Sequence, residues 1–408
     1  MQYTVSTSPL RSIMANRTVL LAVSLFLNVA GFTIILPVIP FLVGQYVRHD
    51  LIGLYVGLIV AVFALCSFFA APVLGFLSDR YGRRPILLVS LLGSAAGYLI
   101  FGYGGALWVL FLGRIIDGFT AGSISTVYAY VADVHEPADR GRIFGMLGAV
   151  AGLGFMFGPV LGGALGAVAP TAPLFTAATV TLANAAWVYI ALPETLKKRV
   201  GPVAWQWRQV NPVRQLKEML REPALRIPFI ASFAFFFAGA ILQSNFAVYL
   251  QAVLAFGPVS IGWTLFGVGV MDVVSQGVLT RALMPRLGAE RLSRLGLGIN
   301  AVGFAILACL VFQPRMELLA WGLFVFTMGD GLFQPAMSAI IANAAPEDSE
   351  GLVQGANQAQ QSLARMLGPL LAGVLSPIAP SAPYWMGMAI ATLGATLLIR
   401  LTAISRRL

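Results

Sequence analysis

The sequence predicts an all-α integral membrane protein: twelve transmembrane helices in two six-helix bundles related by a pseudo-two-fold axis. Three observations predict it. Of 408 residues, 58% are hydrophobic and only 10% charged, whereas a soluble domain carries about a quarter charged residues. The apolar residues gather in runs of about 20, the length a helix needs to cross the hydrocarbon of a bilayer. The second half of the chain also repeats the first.

Twelve runs qualify, at 18–43, 52–77, 85–103, 106–132, 141–168, 173–192, 227–250, 259–283, 292–312, 317–341, 351–376 and 383–402. The first is too long for the core of a cleavable signal and reads as a span. Gly104-Gly105 leaves room only for a tight turn between the third and fourth spans. The fifth and eleventh end in the Pro-bearing turns AVAPTAP and SPIAPSAP. The longest polar break covers 193–226 and separates a first bundle, 1–192, from a second, 227–408. Inside it, VRQLKEMLRE reads as a short amphipathic helix on the membrane surface, with Trp205 and Trp207 at headgroup level.

A net charge of +10 raises the question of nucleic acid, and the distribution of the charge answers it. Of the 26 lysines and arginines, 22 fall at the termini, in the even-numbered loops and in the central break. Only Arg48 and Arg315 fall on the other side, and Arg114 and Arg365 lie within spans. Positive residues stay in the cytoplasm, so both termini are expected there. Topology accounts for the basic balance without nucleic acid. Cys66 and Cys309 both lie in apolar runs, and His49 and His135 stand apart. No disulfide framework, metal cluster or cofactor motif is expected.

Adding 210 to positions in the fifth span lands on the eleventh. Gly141, Gly145, Leu153 and Met156 fall on Gly351, Gly355, Leu363 and Met366; Gly158-Pro159 and Gly163 fall on Gly368-Pro369 and Gly373. The turns repeat too, Ala169-Pro170 on Ala379-Pro380. Parallel repeats of this kind imply an axis along the membrane normal and a site between the halves near the midplane.

Four motifs carry more specific information. The first span reads GFTIILPVIP, the loop after the second GFLSDRYGRRP, the fourth span LFLGRIIDG and the fifth GFMFGPVLGG. In this combination and order the chain resembles the major facilitator superfamily, and more narrowly its twelve-helix drug:H⁺ antiporter family, which includes the tetracycline efflux proteins. In the fifth span, Gly154, Gly158, Gly162 and Gly163 clear a stripe for close helix approach. Pro159 lacks a backbone donor and should bend the helix, which suits a sliding contact between the halves. In the loop, Gly75 and Gly82 permit tight backbone, and Asp79 is an acid among Arg80, Arg83 and Arg84. An acid placed there can face a helix N-terminus. The resemblance implies that Asp79 meets the start of the eleventh span, 349–351, when the cavity faces outward, and that Arg83 pairs with Asp133. The matching stretch of the second half, GVLTRALMPRLGAER, keeps Gly277, Arg281 and Gly288 but has no such acid.

Charges inside spans are the candidates for mechanism, since each costs about 2.5–3.5 kcal/mol at mid-bilayer on insertion scales. Arg114 and Asp117 are three residues apart and share a helix face; either they pair, or one finds its partner across the cavity. The resemblance places Arg114 in the cavity and in coupling, and Asp117 stands where that pattern often has glutamine. Asp272, Asp330 and Arg365 also lie at depth. Asp330-Gly331 repeats Asp117-Gly118, so the two acids are expected to flank one aqueous site from opposite walls. Burial or a nearby cation can shift an acid's affinity for a proton, and cargo can change either influence. Asp330 has no basic residue within a turn and is the favoured carrier, while Asp272 and Arg365 are candidates for an interhelical pair.

Asn28, Gln243, Asn245, Gln276 and Gln334 are candidate polar lining, with Phe233, Phe236, Phe237 and Phe246 as aromatic walls. Such a cavity suits lipophilic compounds, cations among them, better than phosphates or sugars. The tetracycline exporters carry acids where Asn28 and Gly97 stand here, which argues against tetracycline itself. The expected function is proton-coupled export of small lipophilic compounds by alternating access. The expected protein is a monomer in the bacterial cytoplasmic membrane, with the proton as coupling ion and no cofactor. An uptake symporter and a lipid or glycolipid translocase are the alternatives on this scaffold. A membrane enzyme or receptor is disfavoured by the short loops and the lack of a Ser/His/Asp set, HExxH, CxxC or phosphate loop.

Overall fold

A computed structural model describes residues 9–195, 212–344 and 350–405, and among them there are helices and no strand. The first half comprises α1 (Pro9–Thr33), α2 (Ile39–Val43), α3 (Ile52–Tyr81), α4 (Arg83–Tyr103), α5 (Leu107–Phe119), α6 (Ser123–Val134), α7 (Pro137–Val168) and α8 (Ala172–Ala191). After α9 (Pro212–Arg221) come α10 (Pro223–Leu254), α11 (Pro258–Val274), α12 (Arg281–Cys309), α13 (Met316–Asn343), α14 (Glu350–Leu375) and α15 (Ala382–Ser405).

Nine helical runs among the described residues are long and apolar enough to cross a bilayer, one of them the 52-residue run Pro258–Cys309 that contains two of the expected spans. The other two expected spans fall short for visible reasons. The apolar part of α1 is Thr18–Thr33, and α14 opens with Gln354, Asn357, Gln358, Gln360 and Gln361.

The expected spans break where their chemistry requires it. Pro37 and Pro40 remove two backbone donors from the first span. Tighter bonds, Leu36 N to Thr33 O at 3.1 Å and Val38 N to Ile35 O at 3.0 Å, carry the chain from α1 to α2. The fourth span divides just after Asp117-Gly118. There the Thr120 hydroxyl donates to the carbonyls of Ile116 (2.9 Å) and Asp117 (3.1 Å), so the break leaves those acceptors satisfied inside the protein. The eighth span unwinds into a π-helical turn over Ser275–Thr280 before α12. The loop expected after it is reduced to Gly288, whose φ of +73° interrupts the helix and suits glycine alone.

The amphipathic segment of the central break is helical as α9, and its leucines face the second half. Leu216 and Leu220 pack against the cluster built on Leu225, Phe229 and Phe235, while Arg214 and Lys217 are exposed. Trp205 and Trp207 lie outside the described residues. Within the first half, α7 runs along α1 and α4 along α5 and α8; within the second, α14 runs along α10 and α12 along α13 and α15. Two long seams join the halves, α7 against α11 and α3 against α14.

Candidate functional site

A cavity of about 200 Å³ lies where the two seams meet. One wall is mostly apolar: Phe32 on α1, Val56, Val60 and Phe63 on α3, and Phe155 on α7. The second half contributes Gln243 and Ser244 on α10 and Ser362 and Arg365 on α14, and the first half adds the polar groups of Ser67 on α3 and Arg114 on α5. Its charged lining is two arginines, Arg114 and Arg365, with no carboxylate among the lining residues.

The two arginines differ. Arg114 is buried, and its Nη1 donates to Asp117 Oδ2 at 3.0 Å. Its guanidinium lies over the Phe63 ring at 4.5 Å and near that of Phe32 at 5.7 Å, a cation–π arrangement. Asp117 itself turns away from the cavity and packs on α4. A Cβ added to Gly97 would come within 2.8 Å of the Asp117 Cβ, so a side chain at 97 and one at 117 cannot coexist in this packing. Arg365 is exposed to the cavity and has no carboxylate within 4 Å among the described residues. Its expected pairing with Asp272 is therefore not made. The proline four residues on, Pro369, lies inside α14 and cannot donate a backbone hydrogen bond to the carbonyl of residue 365.

Asp272 pairs instead with its own helix: Gln276 Nε2 donates to its Oδ2 at 2.9 Å, and its Oδ1 is buried without a partner. Asp330 lies within the electrostatic reach of Asp272. Among the described residues neither has a cation within 4 Å. Hydrogen bonds fasten the π-helical turn to α13 beside this pair, from Ser275 Oγ to Met328 O at 3.2 Å and from Thr280 Oγ1 to Gly331 O at 2.6 Å. Such turns recur at functional sites. The shared aqueous site expected between Asp117 and Asp330 is thus not formed: each acid packs within its own half, because α5 turns Asp117 onto α4 and Asp330 meets α11.

The seams are built from glycine. Gly154, Gly158 and Gly162, at four-residue spacing, pack on Val29, Ala30 and Thr33 of α1 and on Ile34 just past its end, within the same half. Met156, Pro159 and Gly163 form a separate stripe that meets Gly269, Gly262 and Pro258 of α11. The contact between halves expected of the whole motif therefore belongs to this second stripe. The repeat holds in space: Gly368 packs on Phe237, Ala240 and Ile241 of α10, and Gly373 on Gly53 and Leu54 of α3. A Cβ on Gly57 would strike the carbonyl of Pro369, just as one on Gly262 would strike that of Pro159.

At the arginine-rich loop, Gly82 has a φ of +115° and ends α3. Arg83 then bridges two acids, Asp79 and Asp133, the latter from Nε at 2.8 Å. Glu194, a residue the sequence reading passed over, accepts from the backbone N–H groups of Arg83 (3.0 Å) and Arg84 (3.1 Å). It caps the N-terminus of α4, where a carboxylate is favoured. Arg84 donates to the Tyr189 carbonyl and lies over that ring, and Arg80 lies over Tyr81. Gly75 faces open space, so no close approach requires it. Of the residues expected to neighbour Asp79, 349–351, residue 349 lies outside the described residues.

The family model described as Major Facilitator Superfamily matches residues 21–369, and again 282–407. The chain belongs to the major facilitator superfamily. Among curated relatives, the class C tetracycline resistance protein of Escherichia coli is 32% identical over 394 residues, 96% of this chain and 97% of that protein. The class B protein of Escherichia coli is 30% identical over 92% of this chain and 91% of its own. Among solved structures, the human organic anion transporter MFSD10 (TETRAN) aligns with a TM-score of 0.70 at 24% identity, covering 94% of this chain and 99% of that one. The nucleoside transporter NupG aligns at 0.78 with 12% identity, covering 95% and 99%. These last two likenesses speak to the fold.

Within this major facilitator fold, the expected cavity residues divide. Gln243 and Phe246 line the cavity. Asn245 does not; it is buried with both side-chain polar atoms unpartnered and borders a neighbouring pocket of about 180 Å³ with His49, Asp50 and Tyr249. Asn28 accepts from Ser123 Oγ at 2.9 Å, and Gln334 is absent from both linings. Phe233 and Phe237 pack on each other with ring centroids 5.5 Å apart, and Phe236 joins the core beside Phe235. The aromatic lining is Phe32, Phe63 and Phe155 together with the expected Phe246. One signal could have found Phe155: adding 210 places it on Arg365.

Proposed function

We propose that this chain is a proton-coupled exporter of small lipophilic compounds, working by alternating access between bundles 1–192 and 227–408. The observation that carries this reading is the cavity between two glycine seams, lined by Arg114 of the buried Arg114–Asp117 pair, in a fold whose second half also carries two carboxylates at depth, Asp272 and Asp330, with no cation within 4 Å among the described residues. Asp330 and Asp272 hold and release the proton; acids of this kind at depth build proton relays. The Arg114–Asp117 pair links the cavity to α4, and the Asp79–Arg83–Asp133 cluster gates the arginine-rich end. The chain works as a monomer in the bacterial cytoplasmic membrane with both termini and residues 193–226 in the cytoplasm, and the proton serves as coupling ion without a resident cofactor. Relatives named tetracycline resistance proteins support export as the direction. The absence of acids at Asn28 and Gly97 supports a cargo other than tetracycline. The largely apolar lining, with Phe32, Phe63, Phe155 and Phe246, supports a lipophilic cargo.

The test is Asp330→Asn in proteoliposomes. Efflux driven by a pH gradient should fall at least about tenfold, while gradient-free exchange of cargo and thermal unfolding stay as in the parent. Undiminished pH-driven efflux would remove Asp330 from coupling.

A further inference from the structure

The charged lining of the cavity is cationic, with no acid among it, and this bears on what it holds. Arg114 is already neutralised by Asp117 at 3.0 Å and covered by Phe63. Arg365 has neither kind of cover. It is exposed to the cavity, lacks a carboxylate within 4 Å among the described residues, and shares its wall with the exposed amide of Gln243 and the hydroxyl of Ser362. A guanidinium with free donors in a largely apolar enclosure favours an acidic group presented in its plane. No acidic side chain lines the cavity to supply one. The repeat sharpens the point. The 210-residue offset puts Phe155 in one wall where Arg365 stands in the other, and both line the cavity. Two otherwise matched helices thus offer an aromatic face to one end of a bound molecule and a cation to its opposite end.

We propose that the cargo is an amphipathic organic anion, its acidic group held by Arg365 with Gln243 and Ser362, its aromatic body against Phe32, Phe63 and Phe155. This deepens the export reading and rests on it only for the identification of the cavity as the cargo site. A cationic cargo, admitted by the sequence, would meet two arginines and no acid.

The experiment uses the full chain purified in lipid nanodiscs and three probes of one shape: 2-naphthoate, 2-naphthamide and 2-naphthylmethylammonium. Calorimetric titration should give the carboxylate at least tenfold tighter binding than the amide, with the ammonium weakest. Arg365→Gln should bring the carboxylate-to-amide ratio close to one, and Arg365→Lys should keep most of it, which guards against a merely misfolded variant. Equal binding of the three probes, binding of none, or an unchanged ratio in Arg365→Gln overturns the proposal. Flux in proteoliposomes separates this outcome from that of the export reading. If the amide or ammonium is driven by protons and the carboxylate is not, the anion proposal fails and export stands. If the carboxylate is bound selectively but nothing moves with protons, export fails and the anion site stands.

Discussion

Arg114→Ala should cost about 3–5 kcal/mol of stability and abolish transport, because it leaves Asp117 buried without a counterion. Both side chains are nearly inaccessible, at 2% and 3% exposure, so water cannot replace the lost partner. The removed guanidinium also leaves a void beside Phe63 and Phe32. The double variant Arg114→Met/Asp117→Leu separates packing from mechanism. Apolar side chains of similar volume replace a buried pair at little or no net cost, so thermal unfolding in detergent should recover to near the parent midpoint. Transport in proteoliposomes should not recover if the pair couples α4 to the cavity. A double variant that transports normally would reduce the pair to a packing device.

Gly57→Leu should lower transport at least about tenfold while leaving the protein folded. Within α3 alone the change is favourable, since a glycine inside a helix is worse than alanine by about 1 kcal/mol. Across the seam it is not. The new Cβ would meet the Pro369 carbonyl and the backbone of Gly373, and backbone cannot swing aside as a flexible side chain can. Overpacking of this kind costs about 1–3 kcal/mol, and it falls only on the state in which the seam is closed. The equilibrium between states should therefore shift toward opening at that end. A cysteine introduced as Ser376→Cys, beside Gly53 in the same seam, should react faster with a water-soluble maleimide in the Gly57→Leu background. Gly262→Leu, facing Pro159, should behave alike. Normal flux in both variants would mean that neither contact forms during turnover.

Much of the architecture was legible in the sequence because lipid imposes a simple rule: long apolar runs and segregated arginines. The repeat was legible because Gly158-Pro159 and Gly368-Pro369 sit at identical offsets. Within the spans the rule says nothing about helix rotation. The fifth-span glycines show the limit. Composition marked Gly154, Gly158, Gly162 and Gly163 as one smooth surface, yet a single-residue step in a helix turns the side chain by about 100° and assigns Gly163 to a different neighbour. The same ambiguity misplaced Phe233 and Phe237 as cavity walls and concealed Phe32 and Phe63. Charges were legible as important but not as partners. Arg114–Asp117 is local in sequence, so helix geometry could suggest it. The placement of Arg365 in the cavity and of Asp272 beside Asp330 depends on how four helices meet. Glu194 escaped notice because its task, capping α4, joins residues 110 or more apart.

The two ends of α3 engage in contacts of different kinds. The glycine seams touch through backbone and small side chains such as Ser376, so parting them breaks van der Waals contact and separates no charge there. The opposite end gathers Asp79, Arg83 and Asp133 into partly exposed ion pairs, whose strength fades as dissolved electrolyte shortens the Debye length. Dissolved salt therefore loosens a cluster that lies wholly within the first half and leaves the glycine contacts between the halves untouched, so the packing inside a bundle and the packing between bundles answer to different solution conditions.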